Sequence, residues 1–228
     1  MNINQIDTDI SDVEIPENIS PRSLFQNWYS RFYINIDPEK HGIIGILSTI
    51  QPDNKPYSRA VFIYDIDYTF NKTGKFSFIT STITSKCEDI KYNPHVSLLF
   101  LWNEHQIVIS GIANICDKDI NDNVWNSRTD RQHKNSWNNY ISRNEIVSDI
   151  INISGSPEFR LPRVPNWSVI EIIPKTFDFS YEGPLLSRIR AHYYLNENDI
   201  WIRKNNRINK IRCREGSENT VIEENIFT

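Results

Sequence analysis

The sequence predicts a mainly β domain with peripheral helices (β+α), its sheet closed into a small barrel, and three observations carry the prediction. Between Gly42 and Ile115, short apolar stretches alternate with turn residues so closely that antiparallel strands must follow one another. A second series of such stretches runs from Trp167 to Arg212. Helical spacing of apolar residues is confined to short segments. A long antiparallel meander leaves unpaired edges, and closing the sheet on itself removes them. With 228 residues, 39% hydrophobic and 12% aromatic, the chain can bury one generous core.

Met1 to Asn18 is acidic and aperiodic, the pattern of a mobile tail or of an arm laid over a partner subunit. Ser20-Pro21 opens a helix whose Leu24, Phe25, Trp28, Tyr29 and Phe32 recur at three- and four-residue steps. Gly42 to Ile50 reads as a buried strand, and the turn Pro52 to Pro56 returns the chain into a second strand, Tyr57 to Ile66. Asn71 to Gly74 is another turn, after which Phe76, Phe78 and Thr80 share one face of a strand. Ser85-x-x-Glu88 has the form of a capping box, and Asn93-Pro94 closes the helix it opens. Strands follow at His95 to Trp102 and Gln106 to Ile112, joined by a tight turn.

Asp117 to Ser127 is predicted helical through Ile120 and Val124, and Arg143 to Ile153 through Ile146, Ile150 and Ile153. Between them the polar stretch Arg128 to Tyr140 reads as a loop, either solvated or a ligand-facing lid. After loop signals at Ser154 to Pro157 and Leu161 to Pro165, strands are expected at Trp167 to Ile173, Thr176 to Tyr181, Ile189 to Leu195, Ile200 to Lys204 and Ile208 to Arg212, all extending the sheet. Glu215 to Thr228 is polar and expected to be poorly ordered. The expected organisation is an arm at 1–18, one domain at 19–214 and a tail at 215–228.

A net charge of −4 without a dense basic stripe argues against nucleic acid. The 3 cysteines, Cys87, Cys116 and Cys213, suit neither a disulfide framework nor a CxxC metal site. The 5 histidines lack metal-ligand spacing, and no metal is expected. With 7 glycines, neither GxGxxG nor a P-loop is formed, and GxSxG is missing too. The first residues carry Asp and Glu before any Lys or Arg, unlike a targeting peptide, and no apolar run approaches the ~20 residues of a membrane span. The expectation is a cytoplasmic protein without membrane partners.

Two cations stand out. Lys86 sits at a predicted helix start among hydroxyls, where dipole and free N–H groups favour an anion, although an ordinary capped surface helix reads the same way. Arg59 lies on an apolar strand, where a guanidinium seeks an anionic partner.

In order, Ser58-Arg59-x-Val61, Phe78-x-Thr80, Ser85-Lys86, Asn93-Pro94, Leu99-Phe100-x-Trp102, Gln106, Gly111, Val164-Pro165-x-Trp167 and Glu197-Asn198-Asp199-x-Trp201 resemble the pyridoxamine 5'-phosphate oxidase family of FMN-binding split β-barrels. The likeness extends from Phe25 to Arg212. It implies an FMN-dependent oxidase, a homodimer with flavin at the subunit interface, a small-molecule substrate, and O2 as acceptor yielding hydrogen peroxide. It implies that Arg59, Ala60, Val61, Phe62, Ile79, Thr80, Ser85 and Lys86 hold FMN, with the phosphate on Arg59, Thr80, Ser85 and Lys86. Gln106 would hydrogen-bond the flavin ring, and Ser142 and Trp167 would complete the site. No side chain is expected to be catalytic in its own right. Among departures, Ser85 stands where the family has Arg, and Ile141 where it has Gln.

Substrate contacts implied by the resemblance are Tyr64, Trp125, Arg128, Gln132, Arg188 and Arg190. Here Tyr64 replaces a phosphate-binding Lys, Trp125 a Tyr and Gln132 a Ser, while Arg188-Ile189-Arg190 replaces Arg-x-His. Losing Lys and gaining Arg suits a carboxylated ring better than a phosphorylated pyridine. The phenazine-biosynthesis branch is similar at Trp125 and Tyr64, so a reduced phenazine carboxylate is the preferred expectation. Pyridoxamine or pyridoxine 5'-phosphate, or a non-catalytic flavin- or haem-binding barrel, are the alternatives. Trp102, Trp125, Trp137, Trp167 and Trp201 are more large aromatics than a small barrel needs, a pattern of either a subunit interface or a single well-filled core.

Overall fold

Strands in this chain alternate inward and outward side chains, and the inward set is what the fold is built around. A computed structural model describes residues 15–32, 43–64, 73–144, 161–182, 188–204, 208–212 and 221–225. The elements are α1 (Pro21–Phe32), β1 (Ile43–Ile50), β2 (Pro56–Ile63), β3 (Phe76–Ser81), α2 (Ser85–Tyr92), β4 (His95–Trp102), β5 (His105–Ile115), α3 (Lys118–Ser127), α4 (Asp130–Asn144), β6 (Trp167–Glu182), β7 (Arg188–Leu195), β8 (Trp201–Lys204), β9 (Ile208–Arg212) and β10 (Val221–Asn225).

The main sheet is 8-stranded in the order β3-β2-β1-β4-β5-β6-β7-β8, and an additional β3–β6 pairing closes it into a ring. This is the split-barrel arrangement expected. Strand β6 makes closure possible by its length: Trp167 to Ile172 pair with β3, and Thr176 to Glu182 pair with β7 along the same edge. Trp167–Glu182 was expected as two strands broken near Pro174. Pro174 instead faces Gly111 at a register shift in the β5–β6 ladder, a bulge that tolerates its missing N–H. A Cβ on Gly111 would lie 2.3 Å from the Ile173 carbonyl oxygen, so no other residue fits there.

Inside the ring pack Leu47, Ile63, Phe76, Phe78, Leu98, Phe100, Ile107, Ile109, Phe177 and Phe179. Helix α1, its N-terminus capped by Ser20 Oγ accepting from Ser23 N, inserts Phe25 and Trp28. Phe25 meets Phe76 edge-on at 5.0 Å and Trp28 meets Phe179 at 5.2 Å. Of the expected arm, Ile15 is buried in this chain's own core and the Pro16 carbonyl accepts from Arg203 Nη1 at 2.7 Å; Met1 to Glu14 lie outside the described residues.

The stretch expected as a polar loop is helical: α4 takes up nearly all of Arg128 to Tyr140. Its start is a capping box, Thr129-x-x-Gln132, in which Gln132 Oε1 accepts from Thr129 N and Thr129 Oγ1 accepts from Gln132 N. The helix expected at Arg143 to Ile153 overlaps only the end of α4, and 145–153 lie outside the described residues. Helix α2 lacks its expected capping box. Thr84 is its N-cap, with no side-chain cap bond, and Thr84 Oγ1 donates back to the Ser81 carbonyl. Strand β9 pairs with β10 in a separate two-stranded sheet rather than extending the main one. Part of the tail expected to be poorly ordered, Val221–Asn225, is therefore a strand.

A second apolar cluster of Trp125, Trp137, Leu161, Val164, Trp167 and Val169 joins α3 and α4 to the start of β6. These tryptophans fill the chain's own core, as does Trp102, while Trp201 packs against it. They therefore lend no support to an interface.

Candidate functional site

A cleft of about 570 Å³ opens where β2, β3, the start of α2, α4 and the loop before β6 meet. Hollows of this size accommodate a cofactor or a small ligand. Of the residues expected to hold a cofactor, the structure gathers Ala60, Val61, Phe62, Ile79, Thr80, Lys86 and Trp167 around it. Ser81, Thr84, Ser136, Asn139, Tyr140, Val164 and Pro165 line it as well. Ser136 belongs to the stretch read as a solvated loop or a ligand-facing lid, whereas Asn139 and Tyr140 were not singled out; the i, i+3, i+4 spacing of the three becomes meaningful once the segment is read as a helix.

Lys86 supplies the cation on one wall. Its Nζ donates to Thr80 Oγ1 at 3.1 Å, tying α2 to the end of β3. The N–H groups at the start of α2, the hydroxyl of Thr80 and this ammonium form a donor set suited to a phosphate. Arg59 is placed differently. Its Nη2 donates to Asp89 Oδ2 at 2.9 Å and its Nη1 to Thr49 Oγ1 at 2.6 Å, and it does not line the cleft. Ser85 is exposed at the first position of α2, and Ser142 is exposed near the end of α4; neither lines the cleft, and Ile141 packs against the second cluster.

A second cation is held at the α3–α4 corner. Helix α3 is capped by Asp117, whose Oδ1 accepts from Ile120 N, and ends where Arg128 N donates to the Trp125 carbonyl. The same carbonyl accepts from His133 Nε2 at 2.7 Å, and the His133 ring stacks on Trp125 at 4.4 Å. Arg128 is thereby turned over the Trp167 ring at 5.6 Å. Its Nη2 makes two long contacts, 3.3 Å to the Gln132 carbonyl and 3.4 Å to Ser136 Oγ. Arg128 Nε has no hydrogen-bond partner among the described residues, and neither does the buried Trp167 Nε1. Burial lowers the Arg128 pKa from the ordinary guanidinium value. A largely desolvated guanidinium without a carboxylate partner among the described residues is a place for an incoming anion.

Trp125, expected near the substrate, is buried, and its Nε1 donates to the Leu161 carbonyl at 3.1 Å. With Trp137 Nε1 donating to the Pro162 carbonyl at 2.8 Å, it pins the loop that carries Val164 and Pro165 into the cleft. Gln132 is engaged in capping α4. Tyr64 packs against the second cluster, and its effect on the Arg128 pKa, upward, is smaller than and opposed to that of burial.

Gln106 and Arg190 lie elsewhere, in a hollow of about 310 Å³ on the outer face of β5, β6 and β7, with Val108, Asp178 and Ser180. The register explains their meeting across a long sequence separation: Gln106 pairs with Ser180, and Ser180 with Arg190. His192 Nδ1 and Asp178 Oδ1 are 2.5 Å apart beside it. Arg188 is placed by its backbone opposite Glu182; its side chain is outside the described residues.

One outer sheet face connects the two hollows. The partners Ala60↔Ile46, Ile46↔Leu99 and Leu99↔Val108 run in a row from the rim of the cleft to the rim of the hollow. Alongside lie Phe62, Leu101 and Ile44, exposed at 66%, 65% and 54%.

Among the described residues, no group of three or more His, Cys, Asp or Glu is placed to hold a metal, and no helix is long and apolar enough to cross a membrane.

The family model described as pyridoxamine 5'-phosphate oxidase matches residues 40–178. Similar curated proteins include a pyridoxine/pyridoxamine 5'-phosphate oxidase of Anaplasma phagocytophilum, 26% identical over 189 residues, covering 79% of this chain and 89% of that one. Another, from Microcystis aeruginosa, is 25% identical over 217 residues, covering 87% and 98%. Among solved structures, PhzG from Burkholderia lata 383, in complex with tetrahydrophenazine-1-carboxylic acid, superposes with a TM-score of 0.63 at 22% identity, covering 85% of this chain and 97% of that one. A pyridoxamine 5'-phosphate oxidase-related, FMN binding protein from Nostoc punctiforme gives 0.53 at 17% identity, covering 82% and 97%.

Proposed function

Because this chain belongs to the pyridoxamine 5'-phosphate oxidase family, we propose that it is an FMN-dependent oxidase acting on a small reduced ring that carries a carboxylate. The carrying observation is a cleft lined by one cation, Lys86 at the start of α2, with the Arg128 guanidinium held just behind the lining residues Trp167 and Ser136. Lys86 suits the cofactor phosphate and Arg128 a substrate anion that reaches past Ser136, and Val61, Ile79 and Val164 give the cleft its apolar lining.

The residues present fit FMN: hydroxyls, an ammonium and a helix N-terminus for the phosphate, and aliphatic and aromatic walls for the ring. When bound, FMN supplies the acceptor for a hydride from the substrate ring and passes the electron pair to O2 as hydrogen peroxide. The chain's own work is positioning. Lys86 and Thr80 fix the phosphate, Arg128 draws the substrate carboxylate against the Trp167 side of the cleft, and α4 with the pinned loop at Val164 covers the site from water.

A homodimer completes this reading. The exposed row across β2, β1, β4 and β5 is the surface for a second copy, since it borders both the cleft and the hollow holding Gln106 and Arg190. Association through it brings the partner's hollow toward the cleft and covers Phe62 and Leu101.

Carboxylate preference is supported by Tyr64, which supplies no cation for a second phosphate, and by the Burkholderia lata protein, whose complex holds a phenazine carboxylate. The test is a peroxide assay of purified, FMN-loaded protein with reduced phenazine carboxylates beside pyridoxine and pyridoxamine 5'-phosphate. Turnover of the carboxylates at saturations unreached by the phosphates is expected. Efficient turnover of pyridoxamine 5'-phosphate overturns the substrate, and a protein that takes up haem but no flavin overturns the oxidase.

A further inference from the structure

We propose that Asp89 withholds Arg59 from the flavin phosphate, so that this chain separates FMN from riboflavin only weakly; the inference rests on the flavin reading above. The observation is a buried ion pair beside the cleft. Asp89 lies one turn along α2 from Ser85 with its side chain 2% exposed, and Arg59 on β2 is 14% exposed. Asp89 Oδ2 accepts from Arg59 Nη2 at 2.9 Å and from Thr49 Oγ1 at 2.6 Å, while Thr49 Oγ1 accepts from Arg59 Nη1 at 2.6 Å. The Tyr57 ring lies 4.7 Å from the guanidinium carbon. Carboxylate, hydroxyl and ring thus hold one guanidinium in place.

That hold is hard to exchange for a phosphate. Moving Arg59 into the cleft leaves Asp89 as a buried carboxylate without its cation, and an uncompensated buried charge is among the most unfavourable states in a folded protein. The start of α2 is left with Lys86, the one cation among the described residues lining the cleft, while Ser85 contributes no charge. A phosphate then gains one charge-assisted contact and a helix N-terminus, worth together a preference for FMN over riboflavin of no more than about a thousandfold. Neutralising Asp89 removes the Coulombic hold. A guanidinium held one turn along α2 from Ser85, about 5.4 Å along the helix, would then be free to add a second charged contact to a phosphate bound at the helix start.

The experiment is a flavin-fluorescence titration of FMN and of riboflavin into wild type, Asp89→Asn, and the double variant Arg59→Ala/Asp89→Asn. Asp89→Asn is expected to tighten FMN by about tenfold or more, to leave riboflavin unchanged, and to lose that gain in the double variant. Unchanged or weaker FMN binding, equal tightening of both flavins, or a gain that survives loss of Arg59 overturns the inference. Should the variants not fold, the wild-type ratio decides it: a preference for FMN above about a thousandfold overturns the proposal, and a smaller one supports it. Wild type that binds neither flavin overturns the flavin reading and this inference together, whereas ordinary FMN binding with an unresponsive Asp89→Asn overturns this inference alone.

Discussion

Replacing Arg128 with methionine separates a substrate-binding guanidinium from a structural one. The side chain holds its place through two long hydrogen bonds, at 3.3 and 3.4 Å, and through the Trp167 ring at 5.6 Å. Those interactions contribute about 1 to 2 kcal/mol in total. Against them stands the desolvation of a charged group whose Nε is unpartnered among the described residues. Methionine keeps the length and the apolar stem, so the two effects roughly cancel, and Tm is expected to change by no more than about 4 °C. The substrate loses a charge-assisted contact worth roughly 1.5 to 3 kcal/mol, which raises KM about 10- to 150-fold with kcat little altered. FMN affinity is expected to stay the same, because Lys86 lines the cleft at the start of α2 while Arg128 sits behind Trp167 and Ser136. The assay is steady-state peroxide production with a carboxylated reduced ring, beside differential scanning fluorimetry. An unchanged KM together with a steep loss of Tm refutes the reasoning and makes Arg128 a structural residue of the α3–α4 corner.

Lys86→Ala removes the cation at the start of α2 and is expected to weaken FMN by roughly 10- to 100-fold in a fluorescence titration; undiminished affinity sinks the phosphate assignment. Phe62→Arg places a charge on the exposed sheet face and is expected to give a monomer of 26.9 kDa by light scattering where wild type is expected to give twice that mass; a variant that remains dimeric moves the interface elsewhere. Burial, with Glu171 beside it, pushes the Cys116 thiol up from 9.0 to about 12. A folded pKa above the unfolded one contributes stability below pH 9.0 that is lost as pH rises through about 12. Tm should therefore fall over that alkaline window more steeply in wild type than in Cys116→Ala, and identical slopes would count against it.

Much of the barrel was legible in the sequence because a strand's alternation is local. Phe76 and Phe78, the hairpin turn after Trp102, and α1 with its Ser20-Pro21 start each follow from neighbours a few residues away. The same locality made Lys86 readable, since a helix start, hydroxyls and a lysine lie within one short run. Where neighbours in sequence mislead, the reading failed. Arg128 to Tyr140 looked like a loop because its apolar residues are few, yet the Thr129-x-x-Gln132 box was there to be seen, and Trp137 closes the corner only by packing beneath Leu161 and Val164.

Tertiary structure alone decided where Arg59 would find its anion. Nothing between Thr49 and Asp89 in sequence says that a strand, a second strand and a helix will bring hydroxyl, guanidinium and carboxylate within 2.9 Å. It also decided that Gln106 meets Arg190 rather than Lys86. Register fixes every lateral neighbour at once, so pairing Gln106 with Ser180 and Ser180 with Arg190 is a consequence of how long strands slide to bury Phe177 and Phe179. The sequence alone determined which side chains carry charge and which carry bulk. Their grouping into sites came from ring closure and from the burial of those aromatics, which are properties of the whole sheet and of no segment within it.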